Sequence, residues 1–301
     1  MRVLVTGARG KVGRAAVAAL QRAGHDTVAT DLAAPDFDTP PPGTAPYVKA
    51  DLTDAGEVYA LVGGASVGEG PRLGPFEAVV HAGALPAPGR HAPHVVFGNN
   101  LMATFNVVEA CVRWGVRRLV NISSETVPGF IFAERPFLPE YLPLDEEHPV
   151  RPQDPYALAK LFGEQLCDAA VQRSELRCIS IRSTWVQNAD TYHRNLGPLL
   201  ADRSRPSVTG WAYIDADDLA EAIRLAVESM LPGHEVMYIA AADTIGSRDL
   251  SASWKAAYPQ ATTTLRPVSR PDASGIDTGK AQNLLVLQSW FHGESWSALD
   301  E

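Results

Sequence analysis

Tyr156 and Lys160 stand four residues apart in Tyr156-Ala157-Leu158-Ala159-Lys160. On a helix that spacing puts a phenol and an ammonium on one face. A free tyrosine has a pKa near ~10, too high for a base at neutral pH, and a cation held beside it favours the phenolate. The pair could therefore exchange a proton with a bound hydroxyl or carbonyl, although the same spacing also arises by chance in helices. Ser123-Ser124 adds a second element. These residues follow the strand-like run Arg118 to Ile122, and ligands of open α/β sheets bind at strand C-termini. A serine there can hold a substrate oxygen beside the phenol.

A second kind of chemistry is written at the N-terminus. Gly7-Ala8-Arg9-Gly10-Lys11-Val12-Gly13 lies between a strand-like run and a helix-like one. Glycines there allow a tight turn and close backbone approach, and the helix N-terminus offers N–H groups to a pyrophosphate. Strand, turn and helix in that order point to a bound dinucleotide, the alternative being a purely structural βα turn. Asp31 ends the next strand. Its carboxylate can accept from both ribose hydroxyls and would repel a 2′-phosphate, which favours NAD over NADP. Arg9 and Lys11 are the counter-signal, and Asp31 could also be a turn residue. Asp51, followed by Leu52, could accept from an adenine amino group or serve as a cap or turn.

The elements needed to hold these groups follow the chain. Val3 to Val5 reads as a buried strand, Lys11 to Ala23 as a helix ended by Gly24, and Thr27 to Thr30 as a second strand: a βαβ unit. Tyr47 to Ala50 is a third strand, a helix runs from Asp54 to about residue 62, and Phe76 to His81 is a fourth strand. Segments 35–46 and 63–75, rich in Pro or Gly, read as loops. A helix is expected from about Asn100 to Gly115, where Asn100 could be the N-cap. A strand then runs from Arg118 to Ile122, an irregular stretch over 129–152, a helix from Pro155 to Arg173 and a strand from Cys178 to Ile181. A helix over about 217–230 and a strand over about 235–240 close the pattern. Alternating strands and helices imply an α/β fold, a Rossmann-type doubly wound parallel sheet. Residues 1–185 would form the dinucleotide-binding core, and 186–301 a small C-terminal substrate-binding region interleaved with the last sheet elements.

Composition bounds the rest. The chain has 301 residues and a formal charge of −9. It shows no basic stripe, so nucleic acid is not an expected partner. Three cysteines, Cys111, Cys167 and Cys178, have no metal-type spacing and read as small buried residues. No metal is expected. Met1 leads straight into strand-like sequence, with no leader pattern and no unbroken 18-residue apolar run. The expectation is a cytoplasmic protein without a membrane partner. Trp211, Trp254, Trp290 and Trp296 read as packing residues.

Taken together, the chain resembles the extended short-chain dehydrogenases/reductases, the NAD-dependent epimerase/dehydratase group. The resemblance runs through Thr6 to Gly13, Asp51-Leu52, His81-Ala82-Gly83-Ala84 and Asn100 to Asn106. It continues through Ser123 to Val127, Pro152 to Lys160, Arg182, Tyr213 to Ala220, and Asp277 to Leu285. It implies roles. Tyr156 would be the general acid/base, Lys160 its activator and Ser124 the substrate-polarising hydroxyl. Asn100 would order the site or a proton relay. Ser123, Ser183, Thr184, Trp185 and Val186 would lie by the nicotinamide, and His81, Ala82, Gly83 and Ala84 would line the cofactor groove. Leu85, Glu125, Thr126, Trp185, Tyr192, Arg194 and Asn195 would face substrate. Arg182 could bind a substrate carboxylate or merely pair with an aspartate. A homodimer built on the helices at 100–114 and 155–173 is implied too.

Two departures bear on substrate. Val127-Pro128-Gly129 replaces the family's frequent Val-Tyr-Gly, and only about thirty residues separate Trp185 from Tyr213-Ile214-Asp215. This compact arrangement is similar to that of uronate dehydrogenases. The expectation is an NAD(P)-dependent oxidoreductase of a sugar, sugar acid or similar polyol. The alternatives are a nucleotide-sugar epimerase or dehydratase, and a non-catalytic NAD(P) sensor.

Overall fold

The structure, a computed structural model, describes residues 1–33, 43–64 and 74–285. The chain runs β1 (Arg2–Thr6), α1 (Lys11–Arg22), β2 (Asp26–Asp31), β3 (Tyr47–Lys49), α2 (Ala55–Val62), β4 (Ala78–His81), α3 (Pro93–Trp114) and β5 (Arg118–Ile122). It continues β6 (Tyr141–Leu142), α4 (Pro155–Arg173), β7 (Arg177–Ser183), β8 (Val186–Gln187), α5 (Ala189–Ala201) and β9 (Ile214–Asp215). It closes with α6 (Ala216–Glu228), β10 (His234–Ile239), α7 (Leu250–Ala257), β11 (Thr264–Leu265) and α8 (Gly279–Leu285).

The main sheet is parallel, in the order β10-β7-β5-β4-β1-β2-β3. This is a Rossmann-type doubly wound sheet. Its direction of winding reverses between β1 and β4, where the C-terminal residues Thr6 and His81 are partners. A ligand crevice belongs outside that point. Strand alternation sends Val3, Val5, Val80, Val120, Ile179 and Ile181 into one core with α1, α6 and α8. Leu4, Val79, Leu119 and Cys178 go into the other, with α2, α3 and α4. All three cysteines are buried there with free thiols. A third core lies beyond the strand ends, joining Phe130, Leu142 and Leu144 to Leu196, Trp211, Tyr213 and Trp254. The two-stranded pairings β6–β11 and β8–β9 stitch this lobe together.

Three differences from the sequence reading have physical causes. α3 begins at Pro93, seven residues before Asn100, with proline in its first turn and Ala92 as N-cap. Asn100 is therefore an interior residue, not a cap. α3 is also long and apolar enough to cross a membrane by length and composition. Its Val96, Ala103, Val107 and Val108 are instead buried inside the protein. Finally, α5 forms where the pattern gave no helix. Asn188 and Thr191 close a capping box that starts it, although Pro198 lies inside. The expected loop at 63–75 falls mostly outside the described residues, as does most of that at 35–46. Trp290 and Trp296 lie wholly outside them.

Candidate active site

The glycine turn is forced by contact. Gly7 has φ +66°, and a Cβ there would stand 2.6 Å from the carbonyl carbon of Ala82 and from the amide of Gly83. A Cβ on Gly13 would lie 2.1 Å from the Gly7 carbonyl oxygen. These glycines let α1 dock its first turn on the ends of β1 and β4. Gly10, the N-cap of α1, brings no side-chain cap to that turn. The amides of Lys11, Val12 and Gly13 thus open α1 toward the crevice, as a diphosphate requires. Asp31 is fixed beside the turn: its Oδ2 accepts from the Arg9 amide at 3.0 Å and its Oδ1 from the Leu32 amide at 2.8 Å.

The far wall is built from the segment after β4. Gly83 packs so tightly that a Cβ would meet Leu52 Cδ1 at 2.5 Å. The Gly83 amide donates to Thr6 Oγ1 at 3.2 Å. Beyond Ala84, Leu85 is clamped by Asn100, whose Oδ1 accepts from its amide at 2.8 Å and whose Nδ2 donates to its carbonyl at 3.0 Å. Asn100 therefore shapes the loop. The buried His81 ring lies between Thr6 Oγ1 at 2.9 Å and Thr104 Oγ1 at 3.1 Å. Burial, aided by the Lys160 charge, pushes its pKa down to about 3, so the ring is neutral. Asp51 Oδ1 takes the amide and hydroxyl of Thr53, the turn reading of that residue. Asn106 holds the Leu52 and Thr53 carbonyls from α3.

Tyr156 and Lys160 both come from α4. Asp154 caps that helix by accepting from the amides of Tyr156 and Ala157, each at 2.9 Å. One turn on, Lys160 Nζ donates to the Ile122 carbonyl at 2.6 Å and lies 5.8 Å from the Tyr156 ring centroid. The Ser124 hydroxyl is within hydrogen-bonding reach of the phenol and accepts from Thr126 Oγ1 at 3.0 Å. Ser124, Tyr156 and Lys160 thus converge at the C-terminal end of β5.

Their electrostatics differ from the sequence expectation. The phenol is pushed up to about 12, chiefly by burial; the Ser124 hydrogen bond opposes this, and the Asp154 and Glu125 carboxylates add to it. Burial lowers Lys160 to about 8, and the Glu164 charge works against that shift. Desolvation dominates at the phenol, so an acidic phenol needs a positive charge acting on it in the crevice. Beside them, burial raises Glu125 to about 8, although the Trp185 amide donates to its carboxyl. Its Oε2 is buried and has no partner among the described residues.

Several expected ligand residues have internal partners instead. Arg182 is buried and makes a two-pronged ion pair with Glu164, Nε to Oε1 at 2.9 Å and Nη2 to Oε2 at 2.8 Å. It is not free for a substrate carboxylate, and its partner is a glutamate, not an aspartate. The Ser123 hydroxyl donates to the same Glu164 at 2.6 Å. Lys11 Nζ reaches past the glycine turn to the Val186 carbonyl at 2.6 Å and Thr191 Oγ1 at 3.1 Å. Tyr192 donates to Asp215 at 2.9 Å, and Asn195 Nδ2 to Gln187 at 3.0 Å. Arg194 is exposed. Thr184 is buried with its amide on the Ile239 carbonyl, and the Ser183 carbonyl takes the Glu125 amide. Trp185, 43% exposed, stays open beside them. Glu164, Asn106 and Thr104 were not singled out from sequence; for Glu164 the signal was there, one turn beyond Lys160 on the same face.

A sequence profile of the NAD dependent epimerase/dehydratase family matches residues 3–240. The chain belongs to that family. Among relatives of this epimerase/dehydratase chain, the uronate dehydrogenase of Pseudomonas putida is 26% identical over 240 residues, covering 79% of this chain and 75% of its own. The L-arabinose 1-dehydrogenase (NAD(P)(+)) of Haloferax volcanii is 28% identical over 248 residues, covering 77% and 84%. The UDP-glucose 4-epimerase of Bifidobacterium longum, solved in complex with NAD+ and UDP, superposes with a TM-score of 0.69 at 21% identity, covering 97% of this chain and 94% of that one. The glycine cradle fits the family's cofactor: its close approaches leave no room for side chains where α1 meets β1 and β4.

Proposed function

We propose that this family member is an oxidoreductase that transfers a hydride at a secondary alcohol or ketone of a sugar, sugar acid or similar polyol, with NAD preferred over NADP. The observation that carries the reading is the convergence of Ser124, Tyr156 and Lys160 at one strand end of a glycine-cradled crevice. Its relatives named for uronate and L-arabinose oxidation support the sugar class.

Bound NAD supplies the hydride acceptor or donor. In the oxidising direction Ser124 holds the substrate oxygen, and Tyr156 takes the hydroxyl proton as the carbonyl forms. Lys160, fixed on the Ile122 carbonyl, presents its charge to the phenol and lowers the cost of the phenolate. Asn100 holds the Leu85 loop that closes the other side. In the reducing direction Tyr156 returns the proton. Glu125, Thr126 and Trp185 are the residues of this neighbourhood we assign to the substrate side.

Aldoses, uronic acids, UDP- and dTDP-sugars and ketones should be screened with NAD+, NADP+ and their reduced forms, following nicotinamide absorbance. Net NADH formation with a free sugar is the expected result. Turnover with NAD retained on the protein would replace this reading by the epimerase one. Tyr156→Phe should abolish most turnover; a wild-type protein that binds NAD(P) but turns over nothing in the screen would be a sensor. We also assign a homodimer, in which exposed Val95, Met102 and Phe105 of α3 and Phe162 of α4 meet a second copy.

A further inference from the structure

Three consecutive residues at the end of β5 are tied to three turns of α4. The Ile122 carbonyl takes Lys160 Nζ, the Ser123 hydroxyl donates to Glu164, and the Ser124 hydroxyl reaches Tyr156. Residues 156, 160 and 164 repeat every fourth position, so they share one buried face. Only the first and last of these ties involve the reacting pair directly. The middle one leads away from the crevice, through Glu164 to Arg182 on β7. The Arg182 guanidinium lies 5.4 Å over the Tyr238 ring, with Nη1 3.5 Å from its hydroxyl.

A buried ion pair of this kind adds little to stability by itself, because desolving two charges offsets their attraction. Its value lies in what it holds. Arg182 fixes the Glu164 carboxylate with two hydrogen bonds, and Ser123 adds a third. The carboxylate then faces Lys160 across one helical turn. The titratable groups around this pair are few. On β4 there is the neutral His81, on α4 Tyr156, and on β7 and β10 Arg182 and Tyr238. Glu125 acts on the phenol from the end of β5. His234 pairs with Asp168, one turn beyond Glu164 on α4, and reaches Ser180 on β7. Glu146 accepts from the Tyr238 amide. Of the acidic groups among these, Glu164 acts directly on Lys160.

We propose that Ser123, Glu164 and Arg182 are positioning residues: they lock the end of β5 to α4 and hold one carboxylate behind Lys160, so that the amine stays charged while Tyr156 works. This rests on Tyr156 and Lys160 being the reacting pair. The polar bonds of the three run within the protein. Their effect passes through Lys160 and Ser124.

The test compares full-length wild type with Glu164→Gln, with Glu164→Gln/Arg182→Met, which removes both charges together, and with Ser123→Ala. The first readout is the Lys160 Nζ resonance of 15N-lysine-labelled protein, followed by NMR from about pH 6 to about pH 10. It needs neither substrate nor turnover. In the single and the double variant the titration should move down by about one pH unit, and less in Ser123→Ala. The second readout is steady-state kinetics over the same range. Loss of the carboxylate should lower kcat at least ~10-fold, shift the alkaline limb to lower pH, and change KM for NAD+ by less than about threefold. The double variant carries the test if the single one fails to fold, since it does not leave the buried Arg182 guanidinium without its carboxylate. A folded variant lacking Glu164 with an unmoved Lys160 titration and an unmoved pH profile would overturn the proposal. If Tyr156→Phe instead kept full turnover, the underlying assignment of the reacting pair would fail, whatever the lysine resonance showed.

Discussion

Replacing Glu125 by glutamine should make the protein more stable above about pH 5, and most of all in alkali. The wild-type carboxyl is buried, receives one hydrogen bond from the Trp185 amide and has an unpartnered second oxygen. Its pKa rises from 4.5 in the unfolded chain to about 8 in the fold. Between those values the native state holds a proton that the unfolded state has released. Stability is therefore intact below the lower value and is lost as pH rises through the upper one. At about 1.4 kcal/mol per unit, the full loss at alkaline pH is on the order of 5 kcal/mol, a large part of the ~5–15 kcal/mol that holds a domain folded. Glutamine keeps the acceptor for Trp185 and cannot ionise. Urea unfolding of both proteins at about pH 5, about pH 7 and about pH 9 reads the difference directly. Glu125→Gln should match wild type within about 1 kcal/mol at the lowest pH and exceed it by several kcal/mol at the highest. Parallel stability curves across that range would refute the reasoning, because they would mean that Glu125 ionises in the fold as readily as in the unfolded chain.

Three further outcomes are expected. Gly13→Ala should weaken NAD binding at least ~10-fold or destabilise the fold by ~1–3 kcal/mol, because its Cβ would meet backbone at 2.1 Å, and calorimetry of the variant checks both effects. Asp31→Asn should narrow the preference for NAD+ over NADP+ about tenfold in the ratio of kcat/KM values, and an unchanged ratio would remove Asp31 from ribose recognition. His81, depressed from 6.5 to about 3, stabilises the fold above the first value and loses that contribution as pH falls through the second. His81→Gln should therefore flatten the acid limb of the unfolding curve, an effect that urea titrations at falling pH would reveal or deny.

The cofactor half of the molecule was legible in the sequence because its signals are local. Val3 to Val5, the glycine turn, α1 and Asp31 lie within one short stretch, and each constrains the backbone next to it. The shared face of Tyr156 and Lys160 was legible for the same reason: one helix sets it. What the sequence hid depends on partners far along the chain. Nothing near Arg182 announces that it will meet Glu164, 18 residues back, rather than a ligand. The downward pull of Lys160 and the upward push of Tyr156 arise from burial, which no four-residue spacing encodes. α3 began early because Pro93 and Ala92 start a helix well before Asn100, which read as its beginning.

The third apolar cluster, anchored by Trp211, Trp254 and Leu142, shares no buried residue with the two cores that flank the sheet. Loops mounted on it can be rebuilt by mutation while Ser124, Tyr156 and Lys160 keep their places on β5 and α4. The lobe can therefore drift in sequence while the packing beneath β5 and α4 stays as it is.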